Sequence, residues 1–235
     1  MPKINVYLPD DLADAVRDTG LPVSPICQRA LDQAVRRITT IRQAVLDELD
    51  PAWLAERLPS FTARLVTVLT LAVRRAQENG AGSVTTGDLL HGMLAEGQNL
   101  GLQVLTAMDV APSSLTAPSG AEPAGVEGGL RFSSAAALAL ELSVGEAIGF
   151  GHNYVGCEHL LVGLAAEPDG TAGDLLRSRA VDGKAARRTV AAALAGYAHL
   201  QATTGGTQAP ALLNAVRAEL APLIQRIERL ESRLN

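Results

Sequence analysis

An internal repeat with a fixed offset of 71 residues constrains this chain more than any other feature. The offset carries Phe61 onto Phe132, Gly80 onto Gly151 and Gly92 onto Gly163, and no gap is needed. A period of this length marks a supersecondary unit whose apolar face is completed by its neighbour. The repeat therefore predicts a compact pseudo-twofold domain built from two copies.

The composition predicts a mainly α globular chain, so the pseudo-twofold double repeat is expected to be all-helical. Hydrophobic residues make up 47% of the 235 residues, aromatic residues only 3%, and the net charge is -5. The two cysteines, Cys27 and Cys157, lie far apart and no signal peptide precedes them, so we expect a reducing, cytoplasmic location. No apolar run approaches the roughly 20 residues that span a bilayer, so no membrane partner is expected.

The N-terminal segment predicts a short strand followed by two helices. Residues 3–8 alternate polar and apolar side chains, which is the period of a half-buried strand. A first helix follows Pro9 and stops at Gly20, and a second opens at the Ser24-Pro25 cap. One strand and two helices bury little apolar surface by themselves. We therefore expect a homodimer in which the strands of the two copies pair antiparallel.

This order of elements resembles the ribbon-helix-helix family of DNA-binding proteins. The resemblance implies that the outward strand residues Lys3, Asn5 and Tyr7 read operator bases in the major groove. It also implies that backbone N–H groups at Ser24 hold a phosphate. The alternative is a strand that only dimerises, and residues 1–42 do not decide between the two, since six basic residues stand against five acidic ones.

Breaks in composition divide the chain into five segments. They are an arm at residues 1–42, a helical connector at 43–57, the double repeat at 58–200, a linker at 201–209 and an amphipathic helix at 210–235. An irregular loop rich in Ala, Pro, Gly and Ser is predicted between the copies, at residues 111–129. The last segment has a coiled-coil pattern interrupted by Pro222, which leaves self-association and packing on its own domain as alternatives.

The second copy reads Gly-His-Asn-Tyr-Val-Gly-Cys-Glu-His-Leu-Leu-Val-Gly-Leu from Gly151 to Leu164. This is similar to the Clp N-terminal domain, the substrate- and adaptor-docking module of the Clp unfoldases. The first copy is degenerate but keeps the frame at Leu89 and Leu90. No phosphate-cradling Gly-x-x-x-x-Gly-Lys-Ser/Thr loop is present, because Gly183-Lys184 is followed by alanine. The chain therefore resembles small actinobacterial Clp N-terminal proteins without ATPase modules, some of which are linked to cyclic-peptide antibiotics such as cyclomarin.

The resemblance implies two kinds of binding site. Phosphoarginine is recognised through the Glu of a Gly-Thr-Glu-His turn, and here only Glu158 remains, with Cys157 in place of the Thr and Gly87 in place of the other Glu. A cyclic-peptide surface is implied where the first helices of the two copies meet. Its residues are Leu58, Leu69, Val73, Phe132, Ala137 and Leu140. The alternative is that this apolar stripe belongs to the core.

The run Cys157-Glu158-His159 invites a metal or thiol-nucleophile interpretation, but it has no second ligand pair at zinc spacing. We therefore expect no metal, no cofactor and no enzymatic activity, with His152 and His159 in structural capping roles. The leading hypothesis is a homodimeric DNA-binding autoregulator that senses and sequesters a peptide or cyclic-peptide antibiotic. The alternative is a non-catalytic adaptor or decoy for Clp protease components, with an arm that only dimerises.

Overall fold

The computed structural model describes residues 7–19, 21–44, 46, 51–120, 122 and 129–204. It contains α1 (Asp10–Thr19), α2 (Val23–Gln43), α3 (Pro51–Arg57), α4 (Ala63–Glu78), β1 (Ser83–Val84), α5 (Thr86–Glu96), α6 (Leu100–Ala107), a 3-10 turn (Pro112–Ser114), β2 (Arg131–Phe132), α7 (Ser134–Gly149), α8 (Cys157–Ala166), α9 (Thr171–Ser178) and α10 (Gly183–Thr204). The predicted mainly α class is confirmed. The chain divides into two compact units, Met1–Arg187 and Arg188–Asn235.

The two helices of the N-terminal arm form where the sequence predicts them, but the second begins earlier. Helix α2 starts at Val23 after the N-cap residue Pro22, which provides no side-chain cap. Ser24 therefore lies inside the first turn and does not cap the helix. Of the predicted strand, residues 3–6 lie outside the described residues, and Tyr7 and Leu8 are not in a strand.

The double repeat is visible in the helix boundaries. Helices α4, α5 and α6 begin 71 residues before α7, α8 and α9 respectively. The turns repeat as well, since Gly80 and Gly151 adopt φ angles of 61° and 75°, and Asp109 and Ala180 adopt 60° and 61°. The predicted frame is thus confirmed at every helix start.

The two copies interlock through reciprocal strand pairing. Val84 of β1 pairs in parallel with Phe132 of β2, and an isolated parallel bridge joins Phe61 to Val155. At the 71-residue offset, Val84 corresponds to Val155 and Phe132 corresponds to Phe61, so the two pairs are equivalent. The start of each copy is therefore held by the turn of the other copy, as a pseudo-twofold axis requires.

Two glycines allow the main helices of each copy to cross closely. A Cβ at Gly92 of α5 would lie within 3.0 Å of the Val68 carbonyl oxygen on α4. A Cβ at Gly163 of α8 would meet the Ala139 carbonyl oxygen of α7 in the same way. Because backbone touches backbone at both crossings, only glycine fits there.

The remaining predictions concern the connectors. The loop between the copies has no regular element in its described part except the 3-10 turn. Helix α10 runs to Thr204, four residues into the segment predicted as a linker, and the predicted helix at 210–235 lies outside the described residues. In the part of the chain that the structure describes, no helix has both the length and the apolar character needed to cross a bilayer.

Candidate functional site

A groove of about 370 Å³ lies beside the first half of α7. Its lining residues are Arg42, Arg131, Phe132, Ser133, Ser134, Ala137, Leu138 and Glu141. Ser133 is the N-cap of α7, and its hydroxyl accepts a hydrogen bond from the Ala136 N–H at 2.9 Å. This cap fixes the start of α7, so Phe132 enters the groove just before the helix and Ala137 and Leu138 follow one turn later.

The groove has an apolar part and a charged wall. The apolar part includes Leu138, which is 37% exposed and lies on the outer face of α7. On the wall, the Arg42 guanidinium donates to both carboxylate oxygens of Glu141, and the Nη2 to Oε2 distance is 2.7 Å. Glu141 holds the pKa of Arg42 above its ordinary value through the hydrogen bond and the charge. The two hydrogen bonds of this Arg42–Glu141 ion pair fix the orientation of both side chains in the groove wall.

Only part of the predicted apolar surface reaches this groove. Leu69 and Leu140 are fully buried, and Leu58 and Val73 are at most 3% exposed. These four side chains pack in the core, while Phe132, which is itself only 5% exposed, and the half-buried Ala137 line the groove. Sequence reasoning missed Leu138, Arg42 and Glu141. No local signal could have found the ion pair, since its members lie 99 residues apart.

The arm supplies one side of the groove. The C-terminal end of α2 packs against α7 and β2. Ile41 there is only 1% exposed, and the chain beyond it is held by a 2.7 Å hydrogen bond from the Leu46 N–H to the Leu130 carbonyl. Because α2 carries Arg42 into the wall, the groove belongs jointly to the arm and the repeat domain.

The other half of the arm is uncovered in the single chain. Helix α1 has no buried residue. The exposed apolar side chains are Leu8, Leu12, Leu21, Val23, Ile26, Leu31 and Val35. Of the predicted DNA-contacting residues, Tyr7 is 95% exposed and Ser24 is exposed, while Lys3 and Asn5 lie outside the described residues.

At the start of α8, the predicted phosphoarginine residue Glu158 is buried. Its carboxylate lies against Gly156 and accepts a hydrogen bond from the Tyr154 hydroxyl. Burial raises the pKa of Glu158. In the first copy the corresponding turn has Gly87, and a Cβ there would collide with the Pro118 carbonyl oxygen of the loop between the copies. The two turns are therefore not equivalent in shape or charge.

Of the two neighbouring histidines, His159 caps the start of α8 and His152 contacts the His159 ring. The Gly156 N–H donates to Nδ1 of His159 at 2.9 Å, and Nε2 of His159 lies 2.9 Å from Nδ1 of His152. Burial, and then the neighbouring His152, lower the pKa of His159 to about 4, so its ring is neutral. The 3.3 Å approach of Nδ1 to Glu158 is therefore not an ion pair, because that nitrogen already accepts the Gly156 proton.

Cys157 is buried beside these groups and has the character of an inert thiol. Burial and the Glu158 charge raise its pKa to about 12, which removes the thiolate needed for nucleophilic attack. Within the described ranges, no three His, Cys, Asp or Glu side chains are grouped to hold a metal ion. The run that invited a catalytic interpretation is part of a helix start.

Comparison with known proteins matches the model of the Clp repeat (R) N-terminal domain to residues 60–179 and 131–221. The chain is 33% identical over 185 residues to an ATP-dependent Clp protease ATP-binding subunit ClpA homolog of Guillardia theta, covering 73% of this chain and 23% of that protein. It is 35% identical over 126 residues to the chloroplastic chaperone protein ClpC1 of Oryza sativa subsp. japonica, covering 52% of this chain and 14% of that protein.

A solved structure, the N-terminal domain of the caseinolytic protease associated chaperone ClpD from Arabidopsis thaliana, superposes with a TM-score of 0.43 at 20% identity. The superposition covers 58% of this chain and 96% of that one. The chain thus spans less than a quarter of the length of the two curated relatives named above.

Proposed function

The chain belongs to the Clp repeat N-terminal domain family, and on this premise we propose that it is a non-catalytic protein whose groove beside α7 binds an apolar peptide. The observation that carries the proposal is the groove itself, which combines Phe132, Ala137 and the exposed Leu138 with one oriented ion pair. Ligand sites commonly join an apolar lining to a few fixed polar groups. A cyclic peptide such as cyclomarin suits this site, because a preorganised ligand loses little entropy on binding.

Blocking the groove should weaken peptide binding without unfolding the chain. Leu138→Arg places a charged side chain in the apolar part of the groove, and we expect the Kd for a cyclomarin-like cyclic peptide to rise at least about 30-fold. Isothermal titration calorimetry measures this. Ile148→Arg is the matched control, because Ile148 is an exposed apolar residue of the same helix and does not line the groove. Equal losses in both variants, or none in Leu138→Arg, would contradict the proposed site.

The uncovered arm is best suited to a second copy of this chain. Leu12, Ile26 and Val35 are about half exposed or more, and several large exposed apolar side chains on one arm favour an interaction site. In the dimer, the strands at residues 3–8 would pair and present Lys3, Asn5 and Tyr7 to operator DNA, with Ser24 near the phosphates. Ligand binding would then release the protein's own operator, raise its level and sequester the compound.

Helix α2 is the connection that this regulation requires. It is continuous from Val23 to Gln43, with Val35 on its uncovered half and Arg42 in the groove wall. A ligand that changes the Arg42–Glu141 pair would therefore tilt the same helix that carries the dimer surface. The measurement is a gel shift with the chain's own promoter, with and without the cyclic peptide.

For that gel shift, we expect Asn5→Ala and Tyr7→Ala to abolish the operator complex while light scattering still reports a dimer. A dimeric wild-type protein that gives no shift would overturn the DNA-binding part of the proposal. Loss of the dimer in either variant would favour an arm that serves dimerisation alone.

A second candidate function is a non-catalytic adaptor or decoy for Clp protease components. The near-neutral charge of residues 1–42 is compatible with it, because the strongly basic face that DNA-binding domains usually carry is not indicated by this charge balance. In that role the groove would hold degradation substrates, and Glu158 would contribute a phosphoarginine pocket. Both functions predict that the chain binds a peptide, but only the regulator predicts an operator complex. The gel shift with operator DNA therefore distinguishes the two functions.

A further inference from the structure

The loop between the two copies contains a buried carboxylate. Glu122 is only 8% exposed. Its carboxylate accepts hydrogen bonds from the backbone N–H groups of Thr86 at 3.0 Å and Thr171 at 3.1 Å. It also accepts from the hydroxyls of Thr86, Ser133 and Thr171, the last two at 2.5 and 3.2 Å. Five donors thus converge on one carboxylate.

These donors come from the starts of three helices. Thr86 is the first residue of α5, Thr171 is the first residue of α9, and Ser133 is the N-cap of α7. Helix N-termini favour negative charge through their free N–H groups and dipoles. Within the described part of the chain, no basic side chain forms an ion pair with Glu122, so the donors to its carboxylate are uncharged hydroxyl and backbone N–H groups. The surroundings of Glu122 are those of a bound oxyanion.

A second contact holds the same loop in place. The Arg75 guanidinium donates to the Ser119 hydroxyl at 2.6 Å and to the carbonyl oxygens of Pro118 at 3.2 Å and Ala117 at 3.3 Å. Its other amino group donates to the Gly87 carbonyl at 3.0 Å. Because Gly87 has no side chain, the loop lies directly on the start of α5. Residues 117–119 are therefore held by Arg75, and Glu122 is held by its own five donors.

The pseudo-twofold axis shows that this site is built only once. The counterparts of Thr86 and Thr171 at the 71-residue offset are Cys157 and Leu100, so two of the three hydroxyls are missing from the other copy. Only Ser133 has a hydroxyl counterpart, Thr62. The donor set is therefore a property of this particular junction and does not follow from the repeat itself.

We propose that residues 117–120 and Glu122 act as an internal ligand, and that Glu122 fills an oxyanion site that an incoming carboxylate or phosphate group must take over to displace it. A cavity of about 450 Å³ adjoins Glu122 and Ser119 and is walled by Gly82, Ser83 and Asp88, which leaves room for the rest of such a ligand. The tether gives Glu122 an effective concentration in the millimolar range or above, so the site is closed to weak external anions. This inference does not depend on the groove beside α7.

The test uses inorganic phosphate as the probe on the full-length chain. Glu122→Ala removes the internal carboxylate, and Glu78→Gln, a change at an exposed carboxylate of α4, is the control. The amide resonances of Thr86 and Thr171 are followed by NMR while phosphate replaces chloride at constant ionic strength. We expect saturable shifts in Glu122→Ala at an apparent Kd at least about tenfold lower than in the wild type and in the control.

Equal phosphate titrations of the wild type and a folded Glu122→Ala variant would overturn the proposal, as would the absence of binding in that variant. A second variant covers loss of folding in the first. Glu122→Gln keeps the shape of the side chain and removes its charge, and we expect faster hydrogen exchange at Thr86 and Thr171 because the loop is released more often. Unchanged exchange at both amides would mean that packing alone holds the loop, and would also overturn the proposal.

Discussion

Gly163→Ala is expected to lower the free energy of unfolding by about 3 kcal/mol, because a single methyl group would force α8 away from α7. The added Cβ would lie within 3.0 Å of both the Ala139 carbonyl oxygen and the Ser143 hydroxyl. That hydroxyl already donates to Ala139 at 2.6 Å, so neither atom is free to move aside. Urea denaturation followed by circular dichroism measures the change.

The chain provides its own controls for this substitution. Gly92→Ala places a Cβ against the Val68 carbonyl in the first copy and should cost a similar amount. Gly145→Ala, in the middle of α7, meets nothing within 4 Å and should stabilise the protein by about 0.5–1 kcal/mol through helix propensity. A Gly163→Ala variant as stable as the wild type would contradict the backbone contact between α7 and α8 at this position.

Acid should destabilise the protein through His159. Its pKa is about 4 in the folded chain against an ordinary value of 6.5, so the folded state binds fewer protons than the unfolded state in this window. The contribution of neutral His159 to the free energy of unfolding is fully present above about pH 6.5. It is lost as the pH falls towards 4, and the loss amounts to at most about 3 kcal/mol. Urea denaturation at a series of pH values measures this loss.

Protonation of Glu158 changes the folding stability in the opposite direction to protonation of His159. The effect of His159 is therefore measured in variants that lack the Glu158 carboxylate. Burial raises the pKa of Glu158, and its protonation at low pH stabilises the folded state. We therefore compare Glu158→Gln with the double variant Glu158→Gln/His159→Asn. The first copy has Asp88 at the position of His159, accepting from the Thr85 N–H at 2.9 Å, which shows that a short side chain can cap there. A pH dependence that persists unchanged in the double variant would exclude His159 as its source.

The repeat made the helical domain predictable from sequence, because its frame is unbroken over every helix of both copies. The glycines at Gly92 and Gly163 were visible as a matched pair, although the reason for them, backbone contact between helices, needed the structure. The interpretation of His159 as a cap also followed from its place in the turn. These features are local or periodic, and periodicity is what a sequence displays most directly.

The features that sequence reasoning missed depend on contacts between distant segments. For Leu69 and Leu140 the sequence left a ligand surface and the core as alternatives, and the fold decides for the core, since both side chains are fully buried. Glu122 stands in a segment of low complexity and reaches Thr171 across 49 residues, so no spacing rule identifies it. The start of α2 at Val23, ahead of the Ser24-Pro25 signal, shows that local capping rules fix helix ends only to within a residue or two.

The position of a bound peptide is the most direct test of the central claim that the groove beside α7 is the ligand site. In protein labelled at the alanine methyl groups, a saturating cyclomarin-like cyclic peptide should shift the Ala137 methyl resonance and give intermolecular NOEs to it. Ala147, buried near the other end of α7, should be unaffected. Shifts confined to residues around Glu158 and Tyr154, with Ala137 unchanged, would contradict the account.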